Sequence, residues 1–159
     1  MKIFTLRAAT KADIDDLIVL HKQMARYHHA LNPIWSKGDD RNAAWKKILL
    51  ATLRRGKDFS FVVLECNGSI VGYATAEIKD ASPAYSVKRI GHIGSVYVKK
   101  SYRQYGMAGM AVEHFMEWFK KNKVTWVTLQ VDANNPLGAK AWKQLGFKDW
   151  RLTLGRSVA

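Results

Sequence analysis

From Ile3 to Ala8 apolar and polar positions alternate, the period of a half-buried β-strand. Thr10 and Asp13 then stand at the spacing of a capping box, ahead of Ile14, Leu17, Ile18, His21, Met24 and Ala25, which recur at helical intervals. That helix is expected to stop before Asn32-Pro33, because a proline pushes the preceding residue out of the helical region. LNPIWSKGDDRN, residues 31–42, holds turn formers and one large aromatic, and is expected to be a loop and a candidate substrate-side lid. A second helix follows, with Trp45, Ile48, Leu49 and Thr52 on one side. FSFVVLEC (59–66) and IVGYATAEIKD (70–80) are strand-like runs joined by Asn67-Gly68-Ser69, which predicts a hairpin. RIGHIGSVYV (89–98) is a further strand. Ala111, Phe115, Trp118, Phe119 and Asn122 mark one face of a helix, with Lys120, Lys121 and Lys123 at its C-terminal end, where cations suit the dipole. WVTLQVD (126–132) reads as a buried strand. A short helix from Pro136 to Leu145 is closed by Gly146, and FKDWRLTLGRSV (147–158) reads as a last strand.

Mixed β and α elements without a linker, repeat or low-complexity tract predict one domain over residues 1–159, an α/β sandwich. A chain of 159 residues can bury roughly two thirds of the surface its unfolded form exposes. The 48% hydrophobic and 25% charged residues argue against disorder, and no apolar run reaches the roughly 18 residues of a transmembrane helix. MKIFTLRAATKADID meets acidic residues too early for a signal peptide, so a cytoplasmic location and no membrane partner are expected. Cys66 is the only cysteine, which excludes an internal disulfide and a cysteine-based zinc site; within FSFVVLEC it reads as a buried structural thiol. No metal is expected.

Charge adds a direction. Lys and Arg number 26 against 13 acidic residues, a net charge of +13, and from Ala81 onward the count is 13 basic to 4 acidic. An anionic partner or a merely solvated cationic surface both fit that balance. VKKSYRQYGMAGMA, Val98 to Ala111, lies in this basic half and joins a strand to a helix through a turn nearly free of bulky side chains. A helix N-terminus has unpaired N–H groups and partial positive charge, so such a turn forms a cradle for phosphate, or simply a tight connection. Neither G-x-x-x-x-G-K-[ST] nor G-x-G-x-x-G is present.

Arg103-x-x-Gly106-x-Ala108 follows Val98 by five residues, and Asn135 precedes Trp142, Gly146 and Phe147 in an N-x6-aromatic-x3-G-F arrangement. Together these resemble the GCN5-related N-acetyltransferase (GNAT) family, whose coenzyme is acetyl-CoA. The resemblance implies an α/β/α sandwich around a mixed, mostly antiparallel sheet, with a splayed parallel strand pair at the coenzyme site. It implies that Val96, Tyr97 and Val98 offer backbone groups to the pantetheine arm, one N–H polarising the thioester carbonyl. Gln104, Tyr105, Gly106, Met107, Ala108 and Gly109 would surround the pyrophosphate, Arg103 beside them would belong to the coenzyme site, and Asn135 would bond the amide-bearing arm. Trp142 stands where many members place a tyrosine that protonates the departing thiolate; an indole N–H cannot do so, which leaves Trp142 a shaping residue. Gln130 replaces a glutamate of members that modify ribosomal-protein N-termini, which weakens that substrate class.

His92, where some members have glutamate and arylalkylamine-type members have histidine, is the candidate general base, with an ordinary pKa of about 6.5. Gly94 on the same strand face would leave room for water or an amine. The other reading of His92 is a hydrogen-bonded strand histidine. Tyr97, Tyr102 and Tyr105 are candidate proton donors, with Tyr102 read as packing. His28 and His29 are expected at the surface or in the lid, and Tyr27 and Trp35 either line an acceptor site or pack in the core. The function implied is transfer of an acetyl group from acetyl-CoA to a primary amine of a small molecule or peptide by direct attack, in a monomer or homodimer. A coenzyme-binding sensor or interaction domain is the alternative, and nucleic-acid binding ranks last because no reading motif accompanies the charge. A polycationic acceptor fits the basic surface poorly unless Asp39, Asp40 or Glu77 forms a local acidic pocket.

Overall fold

The computed structural model describes residues 1–37 and 42–158. Strand β1 (Phe4–Ala8) leads through the 3-10 turn Lys11–Asp13 into α1 (Ile14–Leu31), and α2 (Asn42–Thr52) precedes β2 (Phe59–Cys66), β3 (Ser69–Asp80) and β4 (Arg89–Val98). Helix α3 (Met107–Lys121), the short β5 (Val127–Leu129) and α4 (Pro136–Gln144) complete the elements. The capping box forms as its spacing predicts: the Thr10 N–H and hydroxyl both donate to Asp13. Arg7 closes the motif with two bonds of 2.8 Å to the buried Asp13 carboxylate, holding its pKa down to about 2. Asn67 and Gly68, with φ of 49° and 79°, turn β2 into β3 through two left-handed residues, the conformation a two-residue hairpin needs.

The strands lie in sequence order, β1-β2-β3-β4-β5, antiparallel except for the parallel pair β4–β5. Period-two alternation divides the side chains between two cores. Val62, Leu64, Ala74, Ala76 and Ile93 face α3, whose Phe115 and Phe119 are fully buried among them. Val63, Tyr73 and Tyr97 face α1 and α2, against Leu17, Leu20 and Leu49. Truncating either α3 phenylalanine to alanine removes the type of contact worth about 3–5 kcal/mol. The α/β/α sandwich with a mixed sheet and one parallel pair is thus the architecture. The α1 end before Asn32 and the long α3 also follow the sequence pattern.

Two expectations fail at the C-terminal side. WVTLQVD forms a strand only at Val127–Leu129, and 147–158 contains no strand. The alternating Trp150, Leu152 and Leu154 are instead exposed, the two leucines by more than 80%. A strand exists only by pairing, and three-residue β5 presents too short an edge to hold twelve more residues. Trp150 finds rings rather than a ladder: its centroid lies 5.6 Å from Trp126 and 5.8 Å from Tyr85. Asp39, Asp40 and the centre of the expected lid lie outside the described residues.

Candidate active site

Two features describe the backbone that follows β4, where the sequence leads one to expect a phosphate cradle. The α3 ladder begins with the Met110 N–H donating to the Gly106 carbonyl at 3.0 Å, so the amides of Met107, Ala108 and Gly109 precede it. No side chain caps that end, and no acidic residue stands in its first turn. Gly106 has φ 76° and nothing within 4 Å of where a Cβ would stand, and Gln104 at φ 68° is also left-handed. Successive amides turned in this way make a concave nest for phosphate oxygens. Met107 is buried, so it contributes backbone only, whereas Ala108 and Gly109 are half-exposed.

Beside the cradle the parallel strands part. Pairing runs from Gly91↔Val127 to Ile93↔Leu129 and ends there, while β4 continues to Val98. The β4 edge of Val96, Tyr97 and Val98 thereby lies unpaired on the β5 side, a slot for an extended arm carrying amides. The Val98 carbonyl is partly used, accepting from Arg103 Nε at 3.0 Å. The Arg103 guanidinium is turned toward the rings of Tyr27 and Tyr97, at 5.4 and 5.9 Å. Arg103 therefore braces the slot at the strand end.

His92 faces the α1 side in a row across three strands. Glu77 is its direct partner on β3 and Thr128 its partner on β5. Its Nδ1 lies 3.2 Å from Thr128 Oγ1, and the Thr128 hydroxyl donates to the Gly91 carbonyl at 3.3 Å. A hydroxyl has one proton, and a carbonyl can only accept, so the Thr128 proton is spent on Gly91. Nδ1–H must then donate to Thr128, which leaves the lone pair on Nε2. Half-burial lowers the His92 pKa below its ordinary value; the Lys79 charge adds to this and Glu77 opposes it. The imidazole is therefore neutral near pH 7. Thr128 was not singled out in the sequence; only the register of a three-residue parallel pairing reveals it.

The β3–β4 register slips between Thr75↔Ser95 and Ala76↔Ile93, leaving Gly94 as a bulge. A Cβ on Gly94 would stand 3.0 Å from Thr75 Oγ1, the atom that also accepts from the Ser95 N–H at 3.1 Å. The bulge opens into a cavity of about 230 Å³ on the His92 side of the sheet, with His21, Phe59, Phe61 and Tyr73 in its walls. His21 lies tilted against Trp45, 3.6 Å between centroids, and burial pushes its pKa down to about 4, so it is neutral at pH 7.

The remaining candidates separate. Asn135 is buried and caps α4, its Oδ1 accepting from the Gly138 N–H at 3.0 Å and from the Tyr27 hydroxyl at 2.9 Å. The Tyr27 bond ties the end of α1 to the start of α4. Trp35 adds a second tie, donating from Nε1 to Asp132 at 2.9 Å, while its carbonyl accepts from His29 Nδ1 at 2.6 Å. Trp142 packs edge-on against Phe147, at 5.6 Å, in the α3-side core. Of the three phenols, Tyr97 is on the His92 side and donates to Gln23 at 3.3 Å, its pKa raised by burial. Tyr102 packs against the α3-side core, and the Tyr105 hydroxyl accepts from Lys2 at 3.0 Å, with its ring on Phe4. Tyr105 thus faces β1, and only its backbone belongs to the cradle. Among the described residues no helix is long and apolar enough to cross a membrane, and no three His, Cys, Asp or Glu are grouped to hold a metal ion.

Other proteins resemble this chain in sequence or in fold. An uncharacterized N-acetyltransferase of Methanocaldococcus jannaschii is 24% identical over 155 residues, a stretch that covers 98% of this chain but only 65% of that relative. Among solved structures, the aminoglycoside N-acetyltransferase AAC(6')-Iy in complex with CoA superposes with a TM-score of 0.78 at 17% identity, covering 100% of this chain and 97% of its own. A predicted acetyltransferase from Clostridium acetobutylicum with acetyl-CoA gives 0.77 at 20% identity, covering 98% and 97%. The sequence model of the Acetyltransferase (GNAT) family matches residues 23–147. That match runs from within α1 past the end of α4 and takes in both the splayed strands and the α3 cradle, so the chain belongs to the GNAT acetyltransferase family.

Proposed function

We propose that this protein moves the acetyl group of acetyl-CoA to a primary amine of a small molecule or peptide, by direct attack within one complex. The observation that carries this reading is the parting of β4 from β5 immediately before an uncapped, acid-free helix N-terminus. That geometry fits the coenzyme: the amides of Gln104 to Gly109 meet the pyrophosphate, and the free β4 edge of Val96 to Val98 meets the pantetheine amides. Two solved neighbours carry CoA or acetyl-CoA. Asn135 shapes the mouth through its cap on α4, with Trp142 packed behind it.

The coenzyme supplies the thioester carbonyl. The chain supplies position and a base: the acceptor lies in the cavity at the Gly94 bulge, and His92 Nε2 takes the proton the amine loses, directly or through water. The N–C bond forms as the C–S bond breaks, and CoA leaves as a thiolate that is protonated by water or by Tyr97. Backbone N–H groups at the β4 edge stabilise the charge that develops on oxygen, and juxtaposition supplies much of the acceleration.

A broad amine screen with thiol release as readout tests the reading. Turnover with at least one amine is expected, dependent on both substrates. Tight acetyl-CoA binding with no thiol release from any amine would favour a coenzyme-binding sensor, a reading to which the missing tyrosine at Trp142 lends support.

A further inference from the structure

The acceptor cavity has an unusual charge balance. Among the described residues its one carboxylate is Glu77, only 13% exposed and already bound by two cations, Arg55 at 2.6 Å and Lys79 at 2.5 Å. His21 in the same wall is neutral. Two positive charges therefore stand against one negative, and Glu77 offers no vacancy for a ligand ammonium. A cationic acceptor would have to expel Arg55 or Lys79. Arg55 is the opposite case: its side chain is half-exposed, it lines the cavity, and its guanidinium carbon lies 4.4 Å from the centre of the Phe59 ring. A guanidinium has five N–H donors in a fixed geometry that suits a carboxylate, more than Glu77 uses. Phe59, Phe61, Tyr73 and Leu49 form an apolar, largely aromatic part of the wall beside the polar Thr52, Thr75 and Ser95, and about 230 Å³ holds a single ring with its substituents.

We propose that the acceptor is an amino-acid-like molecule: a primary amine on a small apolar or aromatic body that also carries one carboxylate, anchored by Arg55. This rests on the acetyl-transfer reading above and adds the acceptor's class. The carboxylate joins the Glu77–Arg55–Lys79 cluster and restores its neutrality, the body lies on the aromatic wall, and the amine is left toward Gly94 and His92. Arg55 is a specificity residue and takes no part in bond making.

The test uses matched pairs differing only in the carboxylate, L-phenylalanine with phenethylamine and 4-(aminomethyl)benzoate with benzylamine, plus an aminoglycoside. Thiol release is followed at saturating acetyl-CoA, and calorimetry measures amine binding without coenzyme. We expect kcat/KM at least about tenfold higher for the carboxylate member of one pair or both, since a site built for a polar group discriminates strongly against a ligand lacking it. Arg55→Gln should bring the ratio within a pair close to one, and Arg55→Lys should restore part of it. Should Arg55→Gln unfold, Arg55→Lys carries the test, with a ratio below that of the parent expected. Equal or better use of the decarboxylated amines, or a preference for the aminoglycoside, overturns the acceptor class and leaves acetyl transfer intact. Absence of thiol release with every amine while acetyl-CoA binds overturns acetyl transfer. In that case Arg55-dependent calorimetric binding of the carboxylate members supports the cavity's specificity, and none overturns it.

Discussion

His92 shows how one side chain's chemistry is set by its neighbours. Thr128 spends its proton on Gly91 and so assigns the His92 tautomer, while half-burial keeps the ring neutral near pH 7. His92→Gln should retain coenzyme affinity and lower kcat by roughly the 10²- to 10⁴-fold typical of a lost general base. Because burial lowers the folded-state pKa of His92, the acidic limb of kcat/KM should lie below that of an ordinary imidazole, activity being lost as pH drops through the lowered pKa and the ring charges. The limb should vanish in His92→Gln. Thr128→Val, nearly the same shape, should lower kcat and shift that limb without changing acetyl-CoA affinity. A His92→Gln enzyme with near-normal kcat and an unmoved limb would remove His92 from the reaction.

At the scale of an element, α3 has two separable parts: its buried face carries Phe115 and Phe119, and its first turn is the uncapped end proposed to meet the pyrophosphate. Gly106 is a poor place to separate them, because φ 76° makes any branched side chain strain the backbone before it meets a ligand. Ala108 is better, being helical and half-exposed. An aspartate in the first turn favours a helix by about 0.3–1 kcal/mol, yet places a negative charge where the pyrophosphate should lie. Ala108→Asp should therefore hold or raise the melting temperature while weakening CoA by about tenfold or more, read by calorimetry. Pantetheine, which lacks the phosphates, should bind as before. Equal loss of both ligands would place the pyrophosphate elsewhere.

Across the whole molecule the net charge of +13 becomes a matter of association rate. The Debye length shrinks from about 30 Å at 0.01 M salt to about 8 Å at 0.15 M, so attraction of an anionic coenzyme to a basic surface is screened over that range. We expect kcat/KM for acetyl-CoA to fall severalfold between those salt concentrations, with acetyl-pantetheine almost unaffected. Parallel curves for the two would mean that the surface charge serves another partner. Nucleic-acid binding that survives physiological salt would identify one, since purely electrostatic binding weakens steeply as salt rises.

What the sequence determined by itself is what adjacent residues decide among themselves. Thr10 with Asp13, Asn67-Gly68, the apolar stripe of α3 and the small residues Gly106 and Ala108 each act within one turn or one period, and all took the form their spacing predicts. The β2–β3 hairpin and the start of α3 after Gly106 were legible for that reason. The last strand was not, because its alternation at Trp150, Leu152 and Leu154 states what a strand would bury and nothing about whether an edge exists to receive it. Pairing is a property of two segments, and tertiary structure alone sets it. It set the slip at Gly94 that opens the cavity, the register that puts Thr128 beside His92, and the bond that turns Asn135 toward Tyr27. It also decided the acidic-pocket question at Glu77. Lys79 stands two positions from Glu77 on β3 and shares its face by strand period, but Arg55 lies 22 residues away in the chain, and only the folded path brings that guanidinium to the same carboxylate, making the cluster net positive among the described residues.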